Sequence, residues 1–285
     1  TAASDIAPPP LRTPQDNPFL AALARPARSG WLGLGGLAGL GGLGLDEPLS
    51  PFAVEATLPP AIIAEVKMGS PRLGSLHDRV DPLAQARLYA PNGAAALSVV
   101  VEPDFFYGSY ELLAACRAAS GLPAIAKDFV VDPLQILWAR QAGADAVLLI
   151  AALFAPEELA RHAAFARSLG LVPLIETHDA GDVSRLAGEA WELVGVNNRD
   201  LRTFDIDLER SIALLPSLPP EALKVAESGI RDGLDAALLI DSGFDALLIG
   251  ESLLLAADPA AVLRGLLGLH EPPGADDSGR GQGRP

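Results

Sequence analysis

The sequence predicts an α/β fold, a (β/α)8 TIM barrel carrying an N-terminal extension. Three observations lead there: eight short apolar runs recur between residues 61 and 268, stretches of helical periodicity separate them, and no dinucleotide-type glycine fingerprint follows the first run. Continuous apolar strands alternating with amphipathic helices imply a parallel sheet covered on both faces. Eight such units in about 208 residues fit a compact barrel, a fold that begins at roughly 200 residues. A doubly wound open sheet is the alternative, and the missing fingerprint counts against it.

In order, the strand-like runs are AIIAEVK (61–67), AALSVVV (95–101), LPAIAKDF (122–129), ADAVLLI (144–150), LVPLIE (171–176), WELVGVN (191–197), LKVAES (223–228) and FDALLIG (244–250). Helical stretches between and after them include DPLAQARLYA, YELLAACRAA, DPLQILWARQAG, APEELARHAAFARSLG and DPAAVLRGLLGL. Asp or Ser near several starts can cap, and Gly after several ends suits a C-cap. GADAVLLI and GFDALLIG repeat one Gly-x-Asp-Ala-x-Leu-x-Ile pattern, a helix-to-strand connection used twice.

These runs place the barrel domain at 51–270, after a Gly/Pro-rich extension (1–50) and before a disordered tail (271–285) with little to bury. Within the extension PFLAALAR (18–25) reads as a short helix. The uncharged SGWLGLGGLAGLGGLGL (29–45) is shorter than the ~20 residues of a membrane helix, and its glycines weaken any helix. It reads as a flexible linker. No basic leader opens the chain, so no signal peptide is expected.

A hydrophobic content of 49% is ample for a large core. Acidic residues exceed basic ones by 36 to 21, a net charge of −15, which argues against nucleic acid or a membrane surface as partner. The same field repels an anionic substrate, so a phosphate site must be built locally. One cysteine, Cys116, excludes an intramolecular disulfide and suits a reducing cytoplasm. The four histidines (77, 162, 178 and 270) have no metal-ligand spacing, and no metal is expected.

Only three lysines, Lys67, Lys127 and Lys224, stand against eighteen arginines, and each lies at an edge of a strand-like run. An ammonium whose pKa moves on burial can do acid–base work, whereas a guanidinium stays charged. Catalytic groups of such barrels sit at the C-terminal strand ends. Those ends supply Glu65, Lys67, Lys127, Glu176, Asn197 and Glu227. Glu65 and Lys67 are two apart, so they share a face of their strand. One charged strand end is usually a solvated residue; six polar residues there, five of them charged and with both signs, point to paired acid–base chemistry. The seventh and eighth ends read AESGI (226–230) and LIGES (248–252), glycine turns ahead of helices. Such turns either only reverse the chain or cradle a phosphate with backbone N–H groups, and their position in the barrel favours phosphate. Gly250 in particular is expected to permit close backbone approach or a positive φ. Ser70 adds a hydroxyl from the side of the first strand.

On IIAEVKMGSP, ALSVVVEPDFFYGSYELLAACR, KDFVVDPLQILWARQAGADAVLLIAAL, LIETHD, VGVNNRDLRTFDIDL, VAESGI and LLIGESLL, the chain resembles the indole-3-glycerol phosphate synthase family across roughly residues 61–255. The resemblance implies a cytoplasmic, cofactor-free carboxy-lyase of tryptophan biosynthesis. Its substrate would be the phosphorylated anthranilate derivative 1-(2-carboxyphenylamino)-1-deoxyribulose 5-phosphate, and association with other enzymes of that pathway is left open. It further implies that Lys127 is the general acid at the substrate carbonyl and that Lys67 holds the substrate carboxylate. Glu176 would serve later proton transfers, and Glu65 and Glu227 would orient the lysines and stabilise positive charge on the ring nitrogen. Asn197 and Arg199 would place the substrate, with Ser70, Ser228, Gly229 and Gly250 around its phosphate.

Three features depart from the family pattern: Met-Gly-Ser-Pro-Arg at 68–72 where a basic residue and a second Ser are usual, Thr177 in place of an apolar residue, and no clear counterpart of the charged N-terminal helix over the mouth. Competing readings are a phosphoribosylanthranilate isomerase-like barrel and a non-catalytic paralogue that binds a phosphorylated ligand. The isomerase chemistry typically wants a Cys or Asp base at an early strand end, whereas Cys116 falls within a helix.

Overall fold

The structure is a computed structural model that describes residues 16–24, 59–200 and 203–269. The expected linker (29–45) and tail (271–285) lie outside the described residues. Eight parallel strands close a barrel: β1 (Ala61–Val66), β2 (Ala96–Val100), β3 (Ala124–Lys127), β4 (Ala146–Ile150), β5 (Val172–Thr177), β6 (Leu193–Asn197), β7 (Leu223–Glu227) and β8 (Ala246–Ile249). Each pairs with its sequence neighbours, and β1 closes on β8 through Ala61↔Ala246 to Ala64↔Ile249.

Ten helices occur among the described residues: α1 (Pro18–Leu23), α2 (Pro82–Tyr89), α3 (Tyr110–Ser120), α4 (Pro133–Gln141), α5 (Pro156–Ser168), α6 (Ala180–Ser184), α7 (Leu208–Leu214), α8 (Gly233–Ser242), α9 (Glu251–Leu254) and α10 (Pro259–Leu266). Their starts follow a common chemistry. Asp81, Ser109, Asp132, Asp207, Asp232 and Asp258 accept first-turn N–H groups, offsetting donors that a helix start otherwise leaves unpaired. None of the described helices is long and apolar enough to cross a membrane.

Alternation along each strand splits the core in two. Outward residues such as Ile62, Leu97, Val147, Ile175 and Leu247 pack beneath the helices. Inward residues such as Ile63, Ile125, Leu148, Leu174 and Leu248 fill the barrel. The repeated Gly-x-Asp-Ala motif does one job twice. Asp145 exchanges bonds with Ala124, its N–H donating to the Ala124 carbonyl (2.8 Å) and its Oδ2 accepting from the Ala124 N–H (3.1 Å). Asp245 does the same with Lys224, at 2.8 Å for both. Each aspartate thereby ties the start of the preceding barrel strand, at the first residue of β3 and the second of β7.

The expected helix at 18–25 forms as α1, and it closes the bottom of the barrel. Phe19 and Leu23 are fully buried in the inward cluster. Asn17 Nδ2 donates to the carbonyls of Asp145 (2.7 Å) and Gly170 (3.1 Å), just ahead of β4 and β5. α1 therefore lies opposite the mouth at the C-terminal strand ends. Lys224 sits at that lower end too. Its Nζ donates to the Pro220 and Ala222 carbonyls, so the third lysine caps a loop and has no part in the mouth.

Candidate active site

The charged strand ends converge on the mouth. Glu65, on β1, is buried, and Lys67, two residues on, reaches back so that Nζ lies 2.9 Å from Glu65 Oε1. Lys127 ends β3. Its Nζ donates to Glu176 Oε2 on β5 (3.1 Å) and to Glu227 Oε2 on β7 (2.8 Å). Alternate odd strands thus supply Glu65, Lys127, Glu176 and Glu227 from one layer, the way a barrel stacks its inward side chains.

Burial alone would push all three glutamates toward the neutral form. For Glu65, Lys67 and then Lys127 outweigh it, and the carboxyl falls below its ordinary value. For Glu176, Lys127 and then His178 do the same. Glu227 goes the other way: burial, with Glu176 close by, outweighs Lys127 and lifts it to about 7. Burial should depress the Lys127 ammonium, but Glu176, Glu227 and Glu65 overcome that and raise it. The resting site therefore holds a firmly protonated lysine between an ionised carboxylate and one that takes a proton near neutral pH.

Two glycines make room for these carboxylates. A β-carbon on Gly250 would collide with Glu65 Oε1 and lie 2.9 Å from its Cδ; one on Gly195 would collide with Glu227 Oε1 and lie 3.4 Å from Leu174 Cδ1. Gly250 has φ −119° and ψ −69°, so the positive φ expected of it does not occur. Space for Glu65 is what demands glycine there. Ser228 and Gly229, by contrast, both have positive φ, 66° and 79°. Asn198 holds this turn, its Nδ2 donating to the carbonyls of Glu227 and Ser228 at 3.0 Å each. A non-glycine residue in the left-handed region costs energy and persists where its surroundings over-determine it.

Asn197 sits beside Glu227 in the β6–β7 register, and its Oδ1 accepts from the Arg199 N–H (3.0 Å). Arg199 Nη2 lies 3.7 Å from Glu251 Oε2. Glu251 also pairs with Arg72, from the loop after β1. In that loop Gly69–Ser70 and Gly74–Ser75 form a small antiparallel hairpin, and Ser70 Oγ accepts from the Leu73 N–H (3.1 Å). Met68 is buried, so the positive charge of this segment is carried at Arg72. Thr177 is fully buried with its hydroxyl donating to the Gly195 carbonyl (2.8 Å), which accounts for a polar residue at that position.

The strand-end and turn residues expected from the sequence lie around this one mouth, whereas Lys224, the third lysine of the strand edges, lies at the other end of the barrel. Those the sequence did not single out are His178, Asn198, Gly195, Arg72 and Glu251. The signal for His178 was its parity: two residues after Glu176 and just past the end of β5, it continues that side chain's face. A separate cavity of about 440 Å³ opens beside the mouth between the ends of β2 and β3, lined in part by Glu102, Tyr110, Asp128, Phe129 and Trp138. Glu65, Lys67, Lys127, Glu176 and Glu227 are not among its lining residues.

The family model described as indole-3-glycerol phosphate synthase matches residues 51–266. Indole-3-glycerol phosphate synthase of Rhodopirellula baltica is 44% identical over 206 residues, covering 72% of this chain and 80% of its own. The protein of the same description from Azoarcus sp. is 44% identical over 211 residues, with 73% and 80% covered. Among solved structures, 3-hexulose-6-phosphate synthase from Salmonella typhimurium superposes with a TM-score of 0.56 at 14% identity, over 73% of this chain and 97% of that one. Thiamine phosphate pyrophosphorylase from Pyrococcus furiosus gives 0.54 at 14% identity, over 74% and 94%. At that identity the two structures bear on the fold alone, and both agree with a barrel.

Proposed function

The chain belongs to the indole-3-glycerol phosphate synthase family, a carboxy-lyase of tryptophan biosynthesis, and from that premise we propose how its mouth divides the work. The substrate is 1-(2-carboxyphenylamino)-1-deoxyribulose 5-phosphate. The ring carbon bearing the carboxylate attacks the ketone carbon of the sugar, carbon dioxide leaves that ring carbon, and loss of water completes the indole.

Lys127 is the acid at the ketone oxygen. The observation that carries this is its ammonium, fixed by Glu176 and Glu227 at 3.1 and 2.8 Å and protonated at neutral pH. The same carboxylates hold the proton back, so it moves only against a stronger demand, the alkoxide that develops as the ring closes. Lys67, steadied by Glu65, holds the substrate carboxylate until carbon dioxide departs. Glu65 and Glu227 stabilise positive charge on the nitrogen, and Glu176 serves the proton transfers of dehydration.

The phosphate sits by the turns at Ser228–Gly229 and Gly250, with Asn197 and Arg199 placing the sugar chain and Ser70 facing from the β1 side. Ser252 Oγ donates to the Ile230 carbonyl, tying the two turns together. Arg199 and Arg72 supply local positive charge that a protein of net charge −15 otherwise lacks. The single cysteine, buried Cys116, fits a reducing cytoplasm.

The test is direct. Purified protein given the substrate should release carbon dioxide and form indole-3-glycerol phosphate without added metal or cofactor. An inert protein that still binds the substrate would favour a non-catalytic, ligand-binding role.

A further inference from the structure

Glu176 and Glu227 are chemically alike and contact the same ammonium, yet their surroundings differ. Glu227 has Oε2 on Lys127, while its Oε1 is buried without a hydrogen-bond partner. Glu176 has Oε2 on Lys127 and Oε1 3.1 Å from His178 Nε2. The other ring nitrogen, Nδ1, lies 3.3 Å from Asp182 Oδ2. His178 leaves the end of β5 on the same face as Glu176. The start of α6 then turns Asp182 back, with its Oδ2 accepting from the His178 N–H (3.0 Å) and its own N–H donating to Asp179 Oδ1 (2.9 Å).

Resting on the assignment of Lys127 as the acid, we propose that His178 is a positioning residue for Glu176. Its imidazolium, clamped between Asp182 and Glu176, restrains one oxygen of Glu176, leaves the other on Lys127, and keeps the carboxylate ionised once Lys127 has given up its proton.

A neutral imidazole presents one nitrogen as an acceptor, and an acceptor facing a carboxylate is repelled. With carboxylates at both nitrogens, the doubly protonated ring is the form that suits the site. The groups facing the ring are Glu176 from β5 and Asp182 from α6. Arg185 stands behind Asp182 (Nε to Oδ1 3.8 Å), Lys127 lies across Glu176, and Asp179 is engaged by the α6 N–H. The flanking charges are therefore negative and the cations lie beyond them. Burial disfavours protonation of His178, but Glu176 and then Asp182 overcome it and raise the imidazole above its ordinary range. The Nε2 contact is off the line of a hydrogen bond, so it acts mainly through charge, which a side chain only 9% exposed leaves poorly screened.

The clamp matters most when Lys127 is neutral. Two buried carboxylates around a neutral amine would compete for a proton. His178 settles that competition by holding Glu176 ionised and leaving Glu227, with one oxygen free, as the partner that can be protonated.

The test measures kcat and KM across pH for the wild type, His178→Asn and Lys127→Arg, beside an NMR titration of the His178 ring in the wild type. In His178→Asn, kcat should fall about tenfold with KM within about twofold, and the acid limb of the kcat profile should move up by about one pH unit, because Glu176 has lost a neighbouring cation. A role confined to capping α6 would lower the melting temperature and leave that limb in place. The wild-type ring should titrate clearly above its ordinary value of about 6.5, held there by Glu176 and Asp182; titration at or below that value overturns the proposal even if the variant does not fold. A collapsed Lys127→Arg beside a folded His178→Asn with unchanged kcat and acid limb overturns this proposal alone. Near-full turnover in Lys127→Arg removes the acid assignment, and the clamp's purpose with it.

Discussion

The carboxylate of Glu65, on β1, occupies the space that a side chain on Gly250, just past the end of neighbouring β8, would need, so the two fit only because one has no side chain. Gly250 adopts φ −119°, a value open to any residue, so backbone strain has no part in the requirement. Gly250→Ala should therefore fold but push Glu65 away from Lys67. Overpacking of this kind typically costs about 1–3 kcal/mol, and steady-state kinetics should show kcat/KM reduced by roughly tenfold or more as the substrate carboxylate loses its anchor. If the variant lost only affinity for a simple phosphate analogue, with kcat intact, the glycine would serve the phosphate and not Glu65.

Gly195→Ala should act on the opposite wall. Its β-carbon would meet Glu227 Oε1 and press on Leu174. Displaced from Lys127, Glu227 no longer helps orient the ammonium, so kcat should drop while KM changes little. A crystal structure of the variant with Glu227 still 2.8 Å from Lys127 would contradict the expected displacement.

Lys127→Arg keeps the charge but replaces the acid with one far too weak to release a proton near neutral pH. Turnover should collapse by roughly the 10²–10⁴-fold typical of general acid–base catalysis, with a much smaller effect on substrate affinity by calorimetry. Near-full turnover would make Lys127 an electrostatic anchor only.

Most of the barrel was legible in the sequence because its signals are local. Strand ends fall within about two residues of the apolar runs, the Asp and Ser caps form where expected, and the parity of Glu65 and Lys67 places them together. What was hidden depends on pairs far apart in the chain. Nothing in Pro18–Leu23 says which end of a barrel it closes; Asn17 decides that through carbonyls 128 and 153 residues away. Gly195 and Gly250 read as turn or strand glycines until the register sets carboxylates from neighbouring strands over them. Lys224 satisfied the same strand-edge criterion as Lys67 and Lys127, yet it lies at the start of its strand and not at its end. Polarity along the strand was the missing discriminator.

Stability should depend on pH in two opposed stages. The Glu65 and Glu176 carboxyls are depressed from an ordinary 4.5, so their stabilisation is present above about that pH and lost as pH falls further. Glu227 is raised to about 7, so the folded state binds the extra proton and stability rises as pH falls from about 7 to 4.5. Melting temperatures should peak near pH 5. Glu227→Gln should flatten the limb between 4.5 and 7 while leaving the acid limb, and an unchanged neutral limb would assign that titration to another group.

Glu251 lies beside the turn assigned to phosphate and pairs with both Arg72 and Arg199. An arriving phosphate would compete with that carboxylate for the two guanidiniums, in a protein whose net charge already opposes anions. Glu251→Gln removes the competitor and one negative charge, so affinity for glycerol phosphate should rise. Arg72→Ala removes a cation and should lower it. These side chains are partly exposed, and such pairs are typically worth about 0.2–1 kcal/mol, so each change should be at most about fivefold. Both should shrink as salt is raised, since screening weakens exposed charges first. Isothermal titration at low and high ionic strength reads all of these. Equal affinities across the three proteins at low salt would mean that the arginines turn away from the ligand and that backbone N–H groups alone hold the phosphate.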